Sequence, residues 1–219
     1  MEDPSPKKVK DRFDPFIYPL GSKTKLKRDF KDREGSFINV FLSRRSSQDL
    51  NAISIDDISE LLYLTSKIQS IEIDSSGFLI SKRTVPSAGG RHPIDILVSI
   101  PSVDGRTLHY YNPVDHTLSE LLISEVRQKN FFKEVNNNVL INNSCLIWFS
   151  IQVNKTKSKY NNAESLYWKD AGAFLYCIQL VANLLELKSC PLGGLASKSF
   201  YNLFKSKNLI SGGGILIGQ

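Results

Sequence analysis

A segment of small residues at positions 86–90 has the composition of a ligand-binding loop; its members are Pro86, Ser87, Ala88, Gly89 and Gly90. Residues without bulk leave the backbone amides accessible, so a flat ligand can lie against them. Pro86 and the later Pro93 fix the backbone φ angle at both ends, which stiffens the segment before a ligand arrives. An ordinary turn before a strand has the same composition, so the rest of the chain must separate the two interpretations.

The bulk composition is that of an ordinary globular protein. The chain has 219 residues, of which 41% are hydrophobic and 23% charged, enough for one large domain with a buried core. Its three cysteines lie far apart without a CxxC pattern, which favours a reducing compartment, and we expect a cytoplasmic protein. The net charge is +6, and the basic residues are scattered along the chain and mixed with acidic ones. The longest apolar run, residues 145–153, is too short to cross a bilayer. We therefore expect no nucleic-acid partner and no membrane partner.

The patterns along the chain predict an irregular polar N-terminal arm over residues 1–35 and one α+β domain over residues 36–219. Apolar runs and alternation predict strands at 94–100, 107–111, 145–153 and 214–218. Helical spacing predicts helices at 36–46, 55–62, 117–127 and 163–187, the second one behind a cap at Ser54. The last helix is apolar on most faces, so it must be buried in the core or in a subunit interface.

Several motifs follow one another in a characteristic order: Ser43–Ser46, Pro86–Gly90, His109–Tyr111, Lys159–Tyr160, Asp170–Gly172 and Leu187–Gly194. In that order the chain resembles the FMN-dependent nitroreductase superfamily. It is most similar to the azoline-dehydrogenase branch, the microcin- and streptolysin-type enzymes that oxidise azolines in ribosomal peptide natural products. The resemblance covers about residues 36–219. It implies an α+β fold with a central, mostly antiparallel sheet flanked by helices, and a homodimer with FMN at its interface.

The resemblance implies that the phosphate of FMN lies near the paired arginines. Arg44 and Arg45 offer guanidinium donors that suit a phosphate, Ser46 adds a hydroxyl donor, and Gln48 adds a polar contact to the phosphate or the ribityl chain. Arginines at a helix end also complement the helix dipole, and that alternative stays open.

The resemblance also implies that the backbone of two glycine segments approaches the flavin ring. Pro86–Gly90 forms one wall of the flavin site, and Gly193 and Gly194 lie beside the reactive edge of the ring. On local evidence alone, Gly193 and Gly194 fit a helix-terminating turn equally well.

Lys159 and Tyr160 are the candidate catalytic residues. Azoline oxidation removes a proton from carbon and passes a hydride to the flavin, so the site needs a base close to the ring. A lysine that is partly desolvated near other cations gives up its proton more readily, and a neighbouring phenol could relay the proton or hold the substrate. The alternative is a solvated basic loop made of Lys155, Lys157 and Lys159, with Tyr160 as a lid residue.

Two departures from the family pattern bear on the substrate rather than on the flavin. Arg91 and His92 stand where an apolar or aromatic pair is common, and residues 161–169 lack the arginines that usually follow the Lys-Tyr pair. The three histidines lack the spacing of metal ligands, so no metal site is expected.

Three functions therefore remain open. The first is an FMN-dependent dehydrogenase that converts azolines to thiazoles or oxazoles in a modified peptide. Its partners would be a second copy of the chain, cyclodehydratase or synthetase subunits, and a precursor peptide. The second is an NAD(P)H-dependent reductase of nitro compounds or quinones. The third is a flavin-binding or degenerate subunit that acts as a scaffold in a peptide-maturation complex and does not turn over.

Overall fold

The computed structural model describes residues 2–30, 35–74, 77–103, 105–137 and 139–219. The strands are β1 (Ser5–Pro6), β2 (Leu20–Lys25), β3 (Ile68–Ile73), β4 (Leu79–Arg83), β5 (Ile94–Ser99), β6 (Pro101–Ser102), β7 (Gly105–Arg106), β8 (His109–Asn112), β9 (Thr117–Leu121), β10 (Cys145–Gln152), β11 (Tyr160–Asn161), β12 (Lys188–Leu192) and β13 (Leu209–Gly218). The helices are α1 (Phe37–Ser43), α2 (Ile55–Ser66), α3 (Glu125–Asn136), α4 (Val153–Lys157), α5 (Glu164–Leu184) and α6 (Ser197–Phe204), and Ala88–Gly90 forms a short 3₁₀ turn.

An antiparallel sheet lies at the centre of the described chain. Its seven strands follow the order β12-β13-β10-β5-β8-β9-β2. β5 and β10 are buried at every position, because helices cover both faces of the sheet and successive side chains point to opposite faces. One face packs against α2 and α5, and the other packs against α3 and α6. The expected central antiparallel sheet flanked by helices is confirmed.

The cap of α2 and the position of α1 were also predicted correctly. The Ser54 hydroxyl accepts a hydrogen bond from the backbone N–H of Asp57 over 3.1 Å. This contact satisfies one of the backbone donors that every helix leaves unpaired at its start. α1 ends at Ser43, so the paired arginines follow directly after it.

The helix predicted over residues 117–127 is wrong. Thr117–Leu121 is strand β9, which pairs with β8 through a tight turn, and the helix that follows begins only at Glu125. Four of the five residues of β9 are buried, so packing in the sheet overrides the helical spacing of the apolar residues. The hairpin of β3 and β4 was not predicted either.

The N-terminal arm is more ordered than the sequence suggested. β2 pairs with β9 and forms one edge of the central sheet, so the prediction of irregular structure over residues 1–35 is wrong for Leu20–Lys25. Residues 1 and 31–34 of the predicted arm lie outside the described residues. Before β2, the arm is also held at Phe16, whose backbone N–H donates a hydrogen bond to Gln152 Oε1 over 2.9 Å. Whether the arm is a unit separate from residues 36–219 stays a prediction.

The long helix α5 has one buried face and one open face. Phe174 and Ile178 pack on the sheet, whereas Ala173 and Tyr176 are exposed. The neighbouring α1 has no buried residue, and the Phe41 ring meets the Tyr176 ring edge-on at 6.4 Å. None of the helices in the described ranges is both long and apolar enough to cross a membrane.

Candidate functional site

The glycine loop and the Lys-Tyr pair meet in space although 70 positions separate them in sequence. Lys159 Nζ donates a hydrogen bond to the carbonyl oxygen of Gly89 over 3.3 Å. Gly89 has a left-handed φ of +61°, and a Cβ atom built on it would lie 2.5 Å from Lys159 Nζ and 2.7 Å from the Tyr160 hydroxyl. Only glycine therefore satisfies both the backbone conformation and the space that the two polar groups occupy.

Asp170 of α5 fixes the loop from below. The backbone N–H of Ala88 donates to both carboxylate oxygens of Asp170, over 3.1 and 3.2 Å. Burial raises the pKa of Asp170 to about 6, and the hydrogen bond from Ala88 opposes that rise. The Ser87 hydroxyl accepts from the backbone N–H of His92 over 2.7 Å and closes the other end of the loop. From the sequence, Asp170 was named only as part of the Asp170–Gly172 motif, although a carboxylate within a largely apolar helix is a signal of a buried hydrogen-bonding partner.

The amine of Lys159 has a lowered pKa. It is half-buried, and its pKa is lowered first by burial and then by the positive charges of Lys10 and Arg91, while Asp74 opposes the shift. The other two lysines of this stretch lie in different surroundings. Lys155 forms an ion pair with Asp95 at 3.2 Å, and Lys157 is exposed. The three lysines therefore do not form one uniform solvated loop.

The N-terminal arm runs alongside the Lys-Tyr pair. Ser5 and Pro6 pair with Asn161 and Tyr160 as an antiparallel bridge. The backbone N–H of Lys7 then donates to the carbonyl of Lys159 over 2.9 Å. No sequence pattern announced this contact, because a two-residue strand that contains proline has no periodicity to detect.

The two arginines after α1 have different surroundings. Arg45 Nη1 donates to the carbonyl oxygens of Leu42 and Arg44, both over 2.8 Å, so this guanidinium satisfies carbonyl groups at the end of the helix. Arg44 is half-buried beside it. The interpretation of the arginines as a helix-end feature therefore applies to Arg45, and Arg44 is the better candidate for an anion.

The turn after the arginines lies next to the strand that leads to Gly193 and Gly194. Ser46 forms a bridge with Ser189 of β12, and Gln48 is an exposed residue of the same turn. Gly193 follows four residues after Ser189, a span of about 13 Å in extended backbone. A Cβ atom built on Gly193 would meet nothing within 4 Å, so there is open space beside this backbone.

These candidate residues form two groups at opposite ends of α5. The loop and the Lys-Tyr pair lie at the end near Asp170, whereas α1 is held at the other end by Asn183, whose Nδ2 donates to Val40 O and Ser43 Oγ, each over 2.8 Å. Asn183 lies thirteen positions after Asp170, which corresponds to about 20 Å along a helix. The structure therefore brings the predicted residues together within each group, but not the two groups with each other.

The donor sets fit the parts of FMN. The open space beside the backbone of Gly193 suits the approach of a flat ring, and the half-buried guanidinium of Arg44 suits a phosphate. No cluster of three or more metal-binding side chains occurs among the described residues.

Comparisons with known proteins show the family and the fold of this chain. The family model described as "Nitroreductase family" matches residues 42–212. A candidate nitroreductase from Ralstonia eutropha JMP134 superposes with a TM-score of 0.69 at 16% sequence identity, and the match covers 98% of each chain. The Escherichia coli microcin synthetase McbBCD complex with truncated pro-MccB17 gives a TM-score of 0.62 at 15% identity, covering 90% of this chain and 77% of the other. A candidate nitroreductase from Desulfovibrio desulfuricans in complex with FMN gives 0.52 at 17% identity, covering 84% and 86%. No curated protein matches the chain.

Proposed function

We propose the following from the fact that this chain belongs to the nitroreductase family of flavin oxidoreductases. The protein binds FMN and dehydrogenates azolines to azoles in a ribosomally made, modified peptide. The observation that carries the proposal is the contact between the Lys159 amine and the glycine loop at Gly89. This contact puts a base with a lowered pKa beside the backbone against which the ring of FMN would lie.

The reaction removes two hydrogens from the heterocycle. FMN, when bound, would supply the acceptor for one of them as a hydride, which carries both electrons. Lys159 Nζ takes the other as a proton from the ring carbon, and the Tyr160 hydroxyl lies close enough to hold the substrate or to pass the proton on. Asp170 and Gly89 keep the loop in the conformation that this arrangement needs. An electron acceptor such as dioxygen must then restore the oxidised cofactor.

A homodimer is part of the proposal. The loop group and the arginine group lie at opposite ends of α5, and a second copy of the chain would bring an arginine group next to a loop group. α1 offers an apolar surface for such a contact, since Phe37 is 71%, Ile38 65% and Leu42 63% exposed. Exposed apolar surface of this kind marks interaction sites.

The substrate class and the compartment are supported by separate observations. One structural neighbour is a microcin synthetase complex that holds a precursor peptide, which favours a peptide substrate and synthetase partners for this chain as well. Cys145, Cys177 and Cys190 are free thiols, which favours a reducing compartment such as the cytoplasm. The NAD(P)H-dependent nitro or quinone reductase is the second candidate, because several neighbours are described as nitroreductases.

The test compares the two candidate reactions on one preparation. Protein loaded with FMN is incubated with a thiazoline-containing peptide under air, and the peptide mass is expected to fall by two hydrogens. The same protein is then given NADPH and a nitroaromatic compound. Fast reduction of the nitroaromatic without oxidation of the thiazoline would replace the dehydrogenase with the reductase. Failure to take up FMN would leave only the scaffold.

The two arginines after α1 are expected to differ in their effect on FMN binding. Arg44→Met should lower the affinity for FMN about ten- to hundredfold, because a guanidinium–phosphate contact is charge-assisted. Arg45→Met should have a smaller effect, since Arg45 Nη1 already donates to helix-end carbonyls. Fluorescence titration of the apoprotein with FMN measures both affinities. Equal affinities in the two variants would contradict the assignment of the phosphate to Arg44.

A further inference from the structure

Arg91 is a buried arginine whose donors lack partners. The residue is only 7% exposed, and its Nε and Nη2 atoms make no hydrogen bond within the described chain. Burial lowers the pKa of its guanidinium. An unpaired buried donor carries a free-energy cost, and for a charged group that cost is larger than for a neutral one. Two buried, unpaired donors on one guanidinium therefore point to a ligand.

The two unpaired atoms form one side of the guanidinium plane. Nε and Nη2 point in parallel directions and together form the fork that grips both oxygens of a carboxylate or a phosphate. The Phe78 ring holds the guanidinium in position, since the guanidinium carbon of Arg91 lies 4.5 Å from the centre of that ring.

Arg91 lines an open groove together with Gly90 of the glycine loop. The other charged side chains that line it include Lys10, Arg12, Asp14 and Lys155, and of these Lys10 and Lys155 form ion pairs with Asp74 and Asp95. Apolar side chains of the β3–β4 hairpin form the remaining wall, among them Ile71, which is 52% exposed, and Leu79, which is 70% exposed. A groove with this lining suits a molecule that is anionic at one point and apolar beside it.

Asp74, the carboxylate whose charge acts on Arg91, makes no hydrogen bond to the Nε or Nη2 atom of Arg91. Asp74 Oδ2 accepts from Lys10 Nζ over 2.6 Å, and Asp74 Oδ1 accepts from the backbone N–H of Phe78 over 3.1 Å. Asp74 is thus engaged in holding the hairpin turn and the arm, while Nε and Nη2 of Arg91 have no partner in the described residues.

We propose that Arg91 anchors an anion-binding site in this groove, which takes a carboxylate or phosphate group of the molecule that reacts at the glycine loop. The identity of that molecule rests on the proposed function, whereas the anion site itself does not. A peptide substrate would supply an acidic side chain, and a nicotinamide nucleotide would supply a phosphate. The adjacent Gly89 and Lys159 would then meet the reacting part of the same molecule.

The arm forms one wall of the groove. Both unpaired nitrogen atoms are shielded from solvent, so an anion reaches them only when a wall of the groove moves. Phe13 of the arm lies parallel to the Phe78 ring with a centroid distance of 6.4 Å, and it lines the same groove. Removing this ring with Phe13→Ala should therefore speed the binding of the anion.

Calorimetric titration of protein loaded with FMN tests the proposal with two matched pairs of probes. One pair is a thiazoline peptide with glutamate beside the ring and the same peptide with glutamine. The other pair is NADPH and NADH, which differ by one phosphate group. We expect one of the anionic probes to bind wild-type protein about ten- to hundredfold more tightly than its counterpart. The pair that shows the preference identifies the source of the anion.

Variants locate the preference at Arg91. Arg91→Met should abolish it, Arg91→Lys should retain only part of it because lysine lacks the fork, and Arg127→Met, an exposed arginine of α3, should leave it unchanged. Bound FMN is measured from its absorbance in every variant. Wild-type protein that prefers neither anion, or a preference that persists in folded Arg91→Met, overturns the proposal. A preference without any azoline oxidation overturns only the proposed function.

Discussion

Replacing Lys159 by methionine is expected to lower the rate of azoline oxidation by about 10²–10⁴-fold while the protein still binds FMN. The amine lies against Gly89 and has a lowered pKa. Methionine keeps the length and the apolar stem of lysine but cannot accept a proton. Single-turnover absorbance of the flavin, mixed anaerobically with a thiazoline peptide, measures the step in which the two hydrogens leave.

A matched control separates catalysis from general charge. Lys157→Met removes the same charge two positions away, where the side chain is exposed, and should leave the rate within about twofold. Tyr160→Phe should slow the reaction less than Lys159→Met if the phenol only relays the proton or holds the substrate. An unchanged rate in both Lys159→Met and Tyr160→Phe would remove the pair from the mechanism.

The pH dependence gives the role of Lys159 a sign. A base acts when it is unprotonated, so the rate should rise with pH through the pKa of Lys159 and level off above it. Burial and the charges of Lys10 and Arg91 lower that pKa from 10.5, so the rise should occur below pH 10.5. Lys10→Met removes one of the two charges and should move the rise to higher pH. The rise should be absent in Lys159→Met.

The central sheet could be predicted because each of its middle strands carries its own signal. β5 and β10 are uninterrupted apolar runs, and such runs of strand length are typical of strands covered on both faces. The region 117–127 could not be assigned in this way, since its apolar residues fit a helix locally and become a strand only through pairing with β8. The β3–β4 hairpin did carry a signal: Ile68, Ile71 and Ile73 precede a turn that contains Asp74 and Gly77.

The candidate site was predicted as motifs, and its geometry was not. The order of motifs named the loop and the Lys-Tyr pair, but their contact depends on how α4 and β11 return the chain to the loop, which no local pattern encodes. Asp170 and Arg91 were visible as residues, yet their importance follows from burial and from hydrogen bonds made or missing. Long-range contacts of this kind arise from the packing of the whole chain. The catalytic and cofactor roles themselves stay predictions until the variants are measured.

Adding a single methyl group at Gly89 is expected to lower the oxidation rate by about a hundredfold, because small displacements of reacting groups have effects of that size. The new Cβ would lie 2.5 Å from Lys159 Nζ and 2.7 Å from the Tyr160 hydroxyl, closer than any non-bonded contact allows. Lysine is flexible, so the amine would move away rather than unfold the protein. Gly89→Ala should therefore lose activity while it keeps FMN and most of its stability.

The stability cost of Gly89→Ala has a separate origin and a separate control. Alanine in the left-handed region costs about 1–2 kcal/mol per residue, whatever its neighbours. Gly105 also has a positive φ, +112°, but a Cβ there would meet nothing within 4 Å. Gly105→Ala should therefore lower the unfolding free energy, measured by urea titration, without changing the oxidation rate. If Gly89→Ala lost stability alone and oxidised azolines at the wild-type rate, the contact of Gly89 with Lys159 and Tyr160 would have no part in the reaction. A lower oxidation rate in Gly89→Ala together with an unchanged rate in Gly105→Ala would instead place the reacting atoms at this contact.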